Sequence, residues 1–141
     1  RVAALLQDLG STTRKPVAEM GPEECRRYMG HPTRAAKLLS MLTPFKAAAK
    51  IVQSHHECYN GDGFPRGLKA EAIPLGARVL TVANDYYELR AAGNAHMGTL
   101  AQLLAQNWRY DTHILEMLEN FELVGFTLET ESSALVAEDN T

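Results

Sequence analysis

The strongest constraint on the fold is the segment from Pro74 to Ala92, where apolar residues occupy most faces of a predicted long helix. Such a helix must be covered by other elements, because leaving apolar surface in water is unfavourable. Shorter stretches on both sides place apolar residues three and four positions apart, which is typical of amphipathic helices. The sequence therefore predicts an all-α bundle of about six to seven helices, with the long helix at its centre.

Glycine or proline stands at most of the predicted breaks between helices. We expect helices at about 2–9, 22–29, 31–42, 43–57, 74–92, 98–107 and 111–121. In the last of these, Asp111 is a candidate N-cap, and the buried stripe is expected to consist of Ile114, Met117, Leu118 and Phe121. The helical domain is thus predicted to span residues 1–121. Residues 122–141 are predicted to form an acidic tail with one short strand at 123–128.

Composition narrows the class of protein. A chain of 141 residues fits one domain, and a net charge of −3 provides no overall positive field for nucleic acid. The sequence has no run of about 18 apolar residues, the length that a membrane-spanning helix needs, so no membrane span is predicted. Two cysteines, Cys25 and Cys58, are too few for a disulfide framework and favour a reducing cytoplasm. The chain starts at Arg1 within a predicted helix, so we expect it to be part of a longer protein.

The segment richest in chemistry begins with His55 and His56 at the predicted end of a helix, followed by a loop dense in glycine and proline. Neutral imidazole is the commonest protein ligand of transition metals. Adjacent residues on a helix diverge by about 100°, so we expect the two rings to face different ions or partners. The alternative is that one histidine caps the helix and the other packs in the core.

Two further residues are candidate ligands. His31 precedes Pro32 at a predicted helix entrance, where its side chain either turns inward or remains an exposed cap. Asp8 lies near the end of an apolar helix, a position where an acid opposes the helix dipole, so a binding partner would explain it. The alternative for Asp8 is a flanking position that faces water.

Taken in order, these residues resemble the HD-GYP family of the HD metal-dependent phosphohydrolases. The stretch HHECYNGDGFPRGLKAEAIPLGARVLTVANDYYEL, residues 55–89, is similar to the family pattern HHE…DG-x-GYP-x-GL…IP…ARI…AD-x-x-DAL. The resemblance implies an HD-type helical bundle, truncated at its N-terminus. It also implies metal-dependent hydrolysis of cyclic di-GMP, metal ligands at Asp8, His31, His55 and His56, and a ligand- or partner-binding loop at Asp62, Gly63, Phe64, Pro65 and Arg66.

The chain departs from the family pattern at the expected active site. The family's LLHDIGK is LLQDLGS here, so Gln7 replaces the histidine of the HD pair and Ser11 replaces a lysine expected to hold phosphate. Asn84 replaces an aspartate that closes the metal site, and Phe64 replaces the tyrosine of GYP. These changes imply no metal or one divalent ion, iron or manganese, instead of a bridged pair or triplet.

The departures favour a degenerate domain, catalytically silent or weak, that acts as a regulatory or protein-interaction module in bacterial cyclic di-GMP signalling. Two alternatives remain open: an active phosphodiesterase with a reduced metal site, and a sensor that binds cyclic di-GMP without cutting it. Family analogy names GGDEF-domain proteins as partners and an upstream sensor or receiver domain. A homodimer also remains open, because absent helices would leave apolar stripes to cover.

Overall fold

The computed structural model describes residues 2–11, 15 and 17–120. Its helices are α1 (Val2–Leu6), α2 (Pro22–Met29), α3 (His31–Ser40), α4 (Lys46–Val52), α5 (Leu75–Ala91), α6 (His96–Ala105) and α7 (residues 112–120), joined by loops and short 3-10 turns. No strand occurs in this described part, and the all-α prediction is confirmed. The predicted tail and its strand at 123–128 lie outside the described residues.

The first of two cores lies between α3 and α4. Its buried residues are Ala35, Ala36, Leu39, Ala49 and Val52, and Leu6 of α1 packs against them. Small alanines on facing positions allow the two helices to approach closely, which suits side-chain interdigitation in a close-packed interior. This core brings the start of α3 and the end of α4, where the predicted histidines lie, to one side of the bundle.

The second core joins α5 to α6 and α7 through Val82, Leu103, Tyr110 and Leu115. Asp111 is the N-cap of α7, as predicted, because its Oδ1 accepts the His113 backbone N–H at 3.1 Å. The predicted stripe is partly wrong: Met117 is 70% exposed, and Leu115 takes the buried place. Phe121 lies outside the described residues.

The predicted central helix is buried mainly in its first half. Ala77, Leu80, Thr81 and Val82 are buried, whereas Tyr87 is 73% exposed. The buried half carries Arg78, whose guanidinium pairs with Asp111. This largely buried pair fixes the start of α7 on α5. None of the described helices combines the length and the apolar character needed to traverse a bilayer.

The turn after α1 is fixed by a close approach to α3. A Cβ on Gly10 would lie 2.3 Å from the His31 carbonyl oxygen, so no larger residue fits there without a shift of the backbone. The Gly10 carbonyl accepts two N–H bonds from Arg34, at 3.0 and 3.2 Å. These contacts bring the end of α1, with Asp8, alongside His31.

The predicted fourth helix ends at Val52 rather than at Glu57, and residues 53–56 form turns. This earlier end of the helix determines how the rings of His55 and His56 are placed. Because His55 and His56 leave the regular helix, their rings do not diverge but lie tilted against each other, with centroids 4.0 Å apart. The expectation that the two rings face different partners is therefore wrong.

Candidate metal centre

Three histidines from two parts of the chain converge at one point. His31 opens α3, and His55 and His56 follow α4. Each offers one ring nitrogen, and these atoms all lie within 4.8 Å of one another. Among the described residues this is the group of His, Cys, Asp and Glu side chains that meets the geometry of a metal site. The structure thus brings together three of the four predicted ligands.

The orientation of two of these rings is fixed by backbone carbonyls. His31 Nδ1 lies 2.7 Å from the backbone carbonyl oxygen of Tyr28, and His55 Nδ1 lies 2.7 Å from that of Val52. A carbonyl oxygen only accepts, so each Nδ1 carries the proton and each neutral ring has a lone pair at Nε2. Those two Nε2 atoms are 3.4 Å apart. Two facing lone pairs repel unless a cation or proton lies between them.

Burial keeps these rings neutral. It lowers the pKa of His56 to about 2, and the adjacent His55 and His31 rings add to the effect. Burial also lowers the pKa values of His31 and His55, against the opposing influence of their carbonyl partners and of Asp8. Neutral imidazoles do not have to lose a proton before they bind a metal ion.

Asp8 supplies a carboxylate at the edge of this cluster. Its Oδ1 lies 3.7 Å from His31 Nε2, and its side chain is 65% exposed, whereas that of His31 is fully buried. Both atoms carry lone pairs when the ring is neutral, so their approach again suits a shared cation. The fourth predicted ligand is therefore adjacent to the cluster, on its solvent side.

An aromatic wall flanks the cluster, formed by Phe64, which the sequence singled out, and by Tyr28, which it did not. The Tyr28 hydroxyl lies 3.3 Å from His56 Nε2, and the Tyr28 ring is 4.8 Å from the His31 ring. Phe64 stacks on His56 at 4.7 Å with an angle of 23° between the planes. The position of Tyr28, three residues before His31 and in the last turn of α2, was the available signal.

Two of the substituted positions of the family pattern meet across the bundle. Gln7 Nε2 donates to Asn84 Oδ1 at 2.7 Å, which links the residue before Asp8 to α5. Asn84 Nδ2 in turn donates to Glu88 Oε1 at 3.0 Å. Gln7 Oε1 is buried and has no hydrogen-bond partner among the described residues. The neighbouring Asp85 instead binds Arg109 and Tyr110.

The loop after the histidines is held by Glu57, a residue only 2% exposed. Its two carboxylate oxygens accept the backbone N–H groups of Arg66 and Leu68, each at 2.9 Å. The Arg66 guanidinium donates to Ser54 Oγ at 2.9 Å. Asp62 is exposed and forms a turn with Asn60 through two hydrogen bonds, as its position between glycines indicates.

Replacing Glu57 by glutamine is expected to lower the free energy of unfolding by about 2–3 kcal/mol, because one of two charge-assisted bonds is lost and an NH₂ group then faces a backbone N–H. Chemical denaturation with urea measures this change. Glu116→Gln, at an exposed position of α7, is the matched control and should change stability by less than about 0.5 kcal/mol. Equal effects of both substitutions would contradict the assigned role of Glu57.

The donor set fits one divalent cation. Three neutral imidazoles and one carboxylate provide four ligands of the type that zinc, iron and manganese accept. Two ring orientations are already set by carbonyl bonds, an arrangement that typically accompanies metal-binding histidines. A cation held there would act as a Lewis acid toward an oxygen ligand. Fold and site together define an all-α domain with a candidate metal centre of three histidines and an adjacent aspartate.

Residues 1–114 match the family model described as HD domain, and the chain belongs to this family. Within it, the chain is a member of the HD-GYP group. It is 34% identical over 97 residues to 3'3'-cGAMP-specific phosphodiesterase 3 of Vibrio cholerae serotype O1, an alignment that covers 64% of this chain and 21% of that protein. It is 36% identical over 99 residues to the cyclic di-GMP phosphodiesterase response regulator RpfG of Xanthomonas campestris pv. campestris, with 64% and 26% covered.

Two solved structures share the fold. The crystal structure of a cyclic GMP-AMP specific phosphodiesterase of V. cholerae has a TM-score of 0.64, with 84% of this chain and 31% of that chain covered. Bd1817, an HDG"Y"P protein from Bdellovibrio bacteriovorus, has a TM-score of 0.62, with 80% and 40% covered. Each is 21% identical to this chain. The chain spans about a fifth to a quarter of the length of the curated relatives described above.

Proposed function

We propose that this chain is a degenerate HD-GYP domain that holds one divalent cation, hydrolyses cyclic di-GMP weakly or not at all, and acts as a regulatory or protein-interaction module in cyclic di-GMP signalling. Relatives named as cyclic di-GMP and cGAMP phosphodiesterases support the ligand class. The observation that carries the proposal is the donor set, in which three imidazoles converge but amides stand at positions 7 and 84.

Weak turnover follows from the charges that remain. Hydrolysis of a phosphodiester by metal ions needs an activated water and positive charge to stabilise the developing anion. One cation supplies less of both than a bridged pair. The residue at the position of the family's phosphate-binding lysine is Ser11, which adds no charge. The Arg66 guanidinium is engaged by Ser54 Oγ, to which it donates at 2.9 Å.

The loop that carries Phe64, residues 62–66, is the proposed ligand- or partner-binding surface. Phe64 and Pro65 are half-buried, and Asp62 and Arg66 are exposed. The loop backbone is held at Phe64 by the His56 carbonyl and at Arg66 by Glu57. A loop held in advance loses less conformational entropy on binding than a flexible one. A GGDEF-type protein domain is the partner proposed by family analogy.

A hydrolysis assay tests the proposal. The full-length protein is loaded anaerobically with Fe²⁺ or Mn²⁺ and incubated with cyclic di-GMP, and linear product is measured. We expect a rate at least about 1,000-fold below that of an HD-GYP enzyme assayed in parallel, equivalent to about 4 kcal/mol of lost transition-state stabilisation. Rapid turnover that disappears in a His31→Gln variant would instead support the active single-metal phosphodiesterase.

Calorimetry with intact cyclic di-GMP distinguishes a cyclic di-GMP sensor from a protein-interaction module. Binding without turnover supports the sensor and contradicts a module that recognises protein alone. Absence of binding by the metal-loaded protein, together with capture of a purified GGDEF domain, supports the interaction module. Phe64→Ala is the variant expected to weaken either interaction, and Trp108→Ala, at a 52% exposed aromatic outside the loop, is its control.

A further inference from the structure

Gln7 and Asn84 form a neutral contact at the two positions where the family pattern has a histidine and an aspartate. The two residues are 77 positions apart in sequence and join the end of α1 to α5 at 2.7 Å. Asn84 offers one oxygen, and that oxygen accepts the Gln7 N–H. Its NH₂ group is turned toward Glu88. Both ends of the Asn84 amide are therefore engaged in hydrogen bonds, and the group carries no negative charge that could attract a cation.

Helix α1 depends on polar contacts for its position. It has five residues, none of them buried. Ala3 and Leu6 pack against the first core, whereas Leu5 is 83% exposed. So short a helix does not hold its place by apolar burial alone. The Gly10–Arg34 bonds secure its C-terminal turn on α3, and the Gln7–Asn84 bond secures it on α5.

Asp8 directly follows Gln7, and its mostly exposed carboxylate lies 3.7 Å from His31 Nε2. Whatever fixes Gln7 thus also fixes where Asp8 approaches the histidine cluster. A cation held by ligands on both α1 and α5 would likewise fix α1 relative to α5, through its charge. Here the amide pair does it with no charge, and a second cation would find neutral groups where it needs anionic or imidazole ligands.

We propose that the Gln7–Asn84 hydrogen bond is a neutral latch that positions Asp8 beside His31 and limits the site to one divalent cation per chain. The inference rests on the proposed one-cation site. Gln7 and Asn84 are positioning residues, because they act through Asp8 and through the space they occupy. The latch leaves one polar atom unsatisfied, because Gln7 Oε1 is buried and has no hydrogen-bond partner in the part of the chain that the structure describes.

The first test counts cations with Mn²⁺ as the probe, by calorimetry and by electron paramagnetic resonance of the purified full-length protein. Wild type is expected to bind one Mn²⁺ and give the six-line spectrum of an isolated ion. Gln7→His with Asn84→Asp is expected to bind two, with an exchange-coupled spectrum. The matched control, Gln102→His with Asn94→Asp, alters another amide pair, joined at 3.1 Å on the exposed surface, and should still bind one.

Two ions in wild type, or one ion in the Gln7→His, Asn84→Asp variant, would overturn the inference. The second test does not depend on that variant folding. Asn84→Asp keeps an acceptor for Gln7 and should bind the first Mn²⁺ at least as tightly as wild type, whereas Asn84→Leu removes the latch and should weaken it about 10- to 100-fold. Equal affinities in these two variants would also overturn it. Neither test measures turnover, so the hydrolysis assay judges the proposed function separately.

Discussion

Replacing His31 by glutamine is expected to weaken Mn²⁺ binding more than about 100-fold, beyond the 10- to 100-fold cost typical of altering a group that only supports a ligand. His31 is fully buried, and its Nε2 lies 3.4 Å from that of His55 and 3.7 Å from the Asp8 carboxylate. It therefore stands between two other ligands. Glutamine keeps much of the side-chain volume but offers an amide oxygen in place of the imidazole nitrogen.

Calorimetry with Mn²⁺ alone measures this loss, and thermal unfolding provides a second readout. Wild type at a Mn²⁺ concentration 100 times its dissociation constant should gain about 2.7 kcal/mol in free energy of unfolding, and the variant should gain almost none. His113→Gln is the control, because the His113 side chain is 87% exposed and lies beside Asp111 of α7. Wild-type affinity in the His31 variant would refute the metal centre.

Replacing Gly63 by alanine is expected to lower the free energy of unfolding by at least about 3 kcal/mol. A Cβ at this position would lie 2.2 Å from the Cys58 nitrogen, 2.5 Å from Glu57 Cα and 2.5 Å from the His56 oxygen. All three are backbone atoms, so no side-chain rotation relieves the clash. The displaced segment also carries His56 and Phe64, so metal affinity should fall with stability.

Urea denaturation and Mn²⁺ calorimetry on the same sample check both effects. Gly98→Ala is the matched control: no atom lies within 4 Å of a Cβ built there, and the residue is inside α6, where alanine favours the helix by up to about 1 kcal/mol. A Gly63→Ala variant as stable as wild type would show that the loop backbone does not pack as described.

Features encoded within one helix or one short segment could be predicted from the sequence, whereas features that depend on contacts between helices could not. The all-α class and the N-cap at Asp111 follow from spacing and residue type within a single element. His31, His55, His56 and Asp8 were recognisable as candidates because of their residue types and neighbours. The helix boundary at Val52 was missed, since the apolar spacing continues beyond the point where tertiary contacts turn the chain.

The sequence by itself determined which side chains are available: three histidines, one nearby acid, and amides at positions 7 and 84. Only the tertiary structure decided what they form together. The turn after Val52 directs His55 and His56 to the same point, and backbone carbonyls at Tyr28 and Val52 aim the imidazole nitrogens of His31 and His55. The Gln7–Asn84 bond spans 77 positions. Periodicity reports the environment of one helix, whereas convergence depends on how several helices end and pack, which no local pattern encodes.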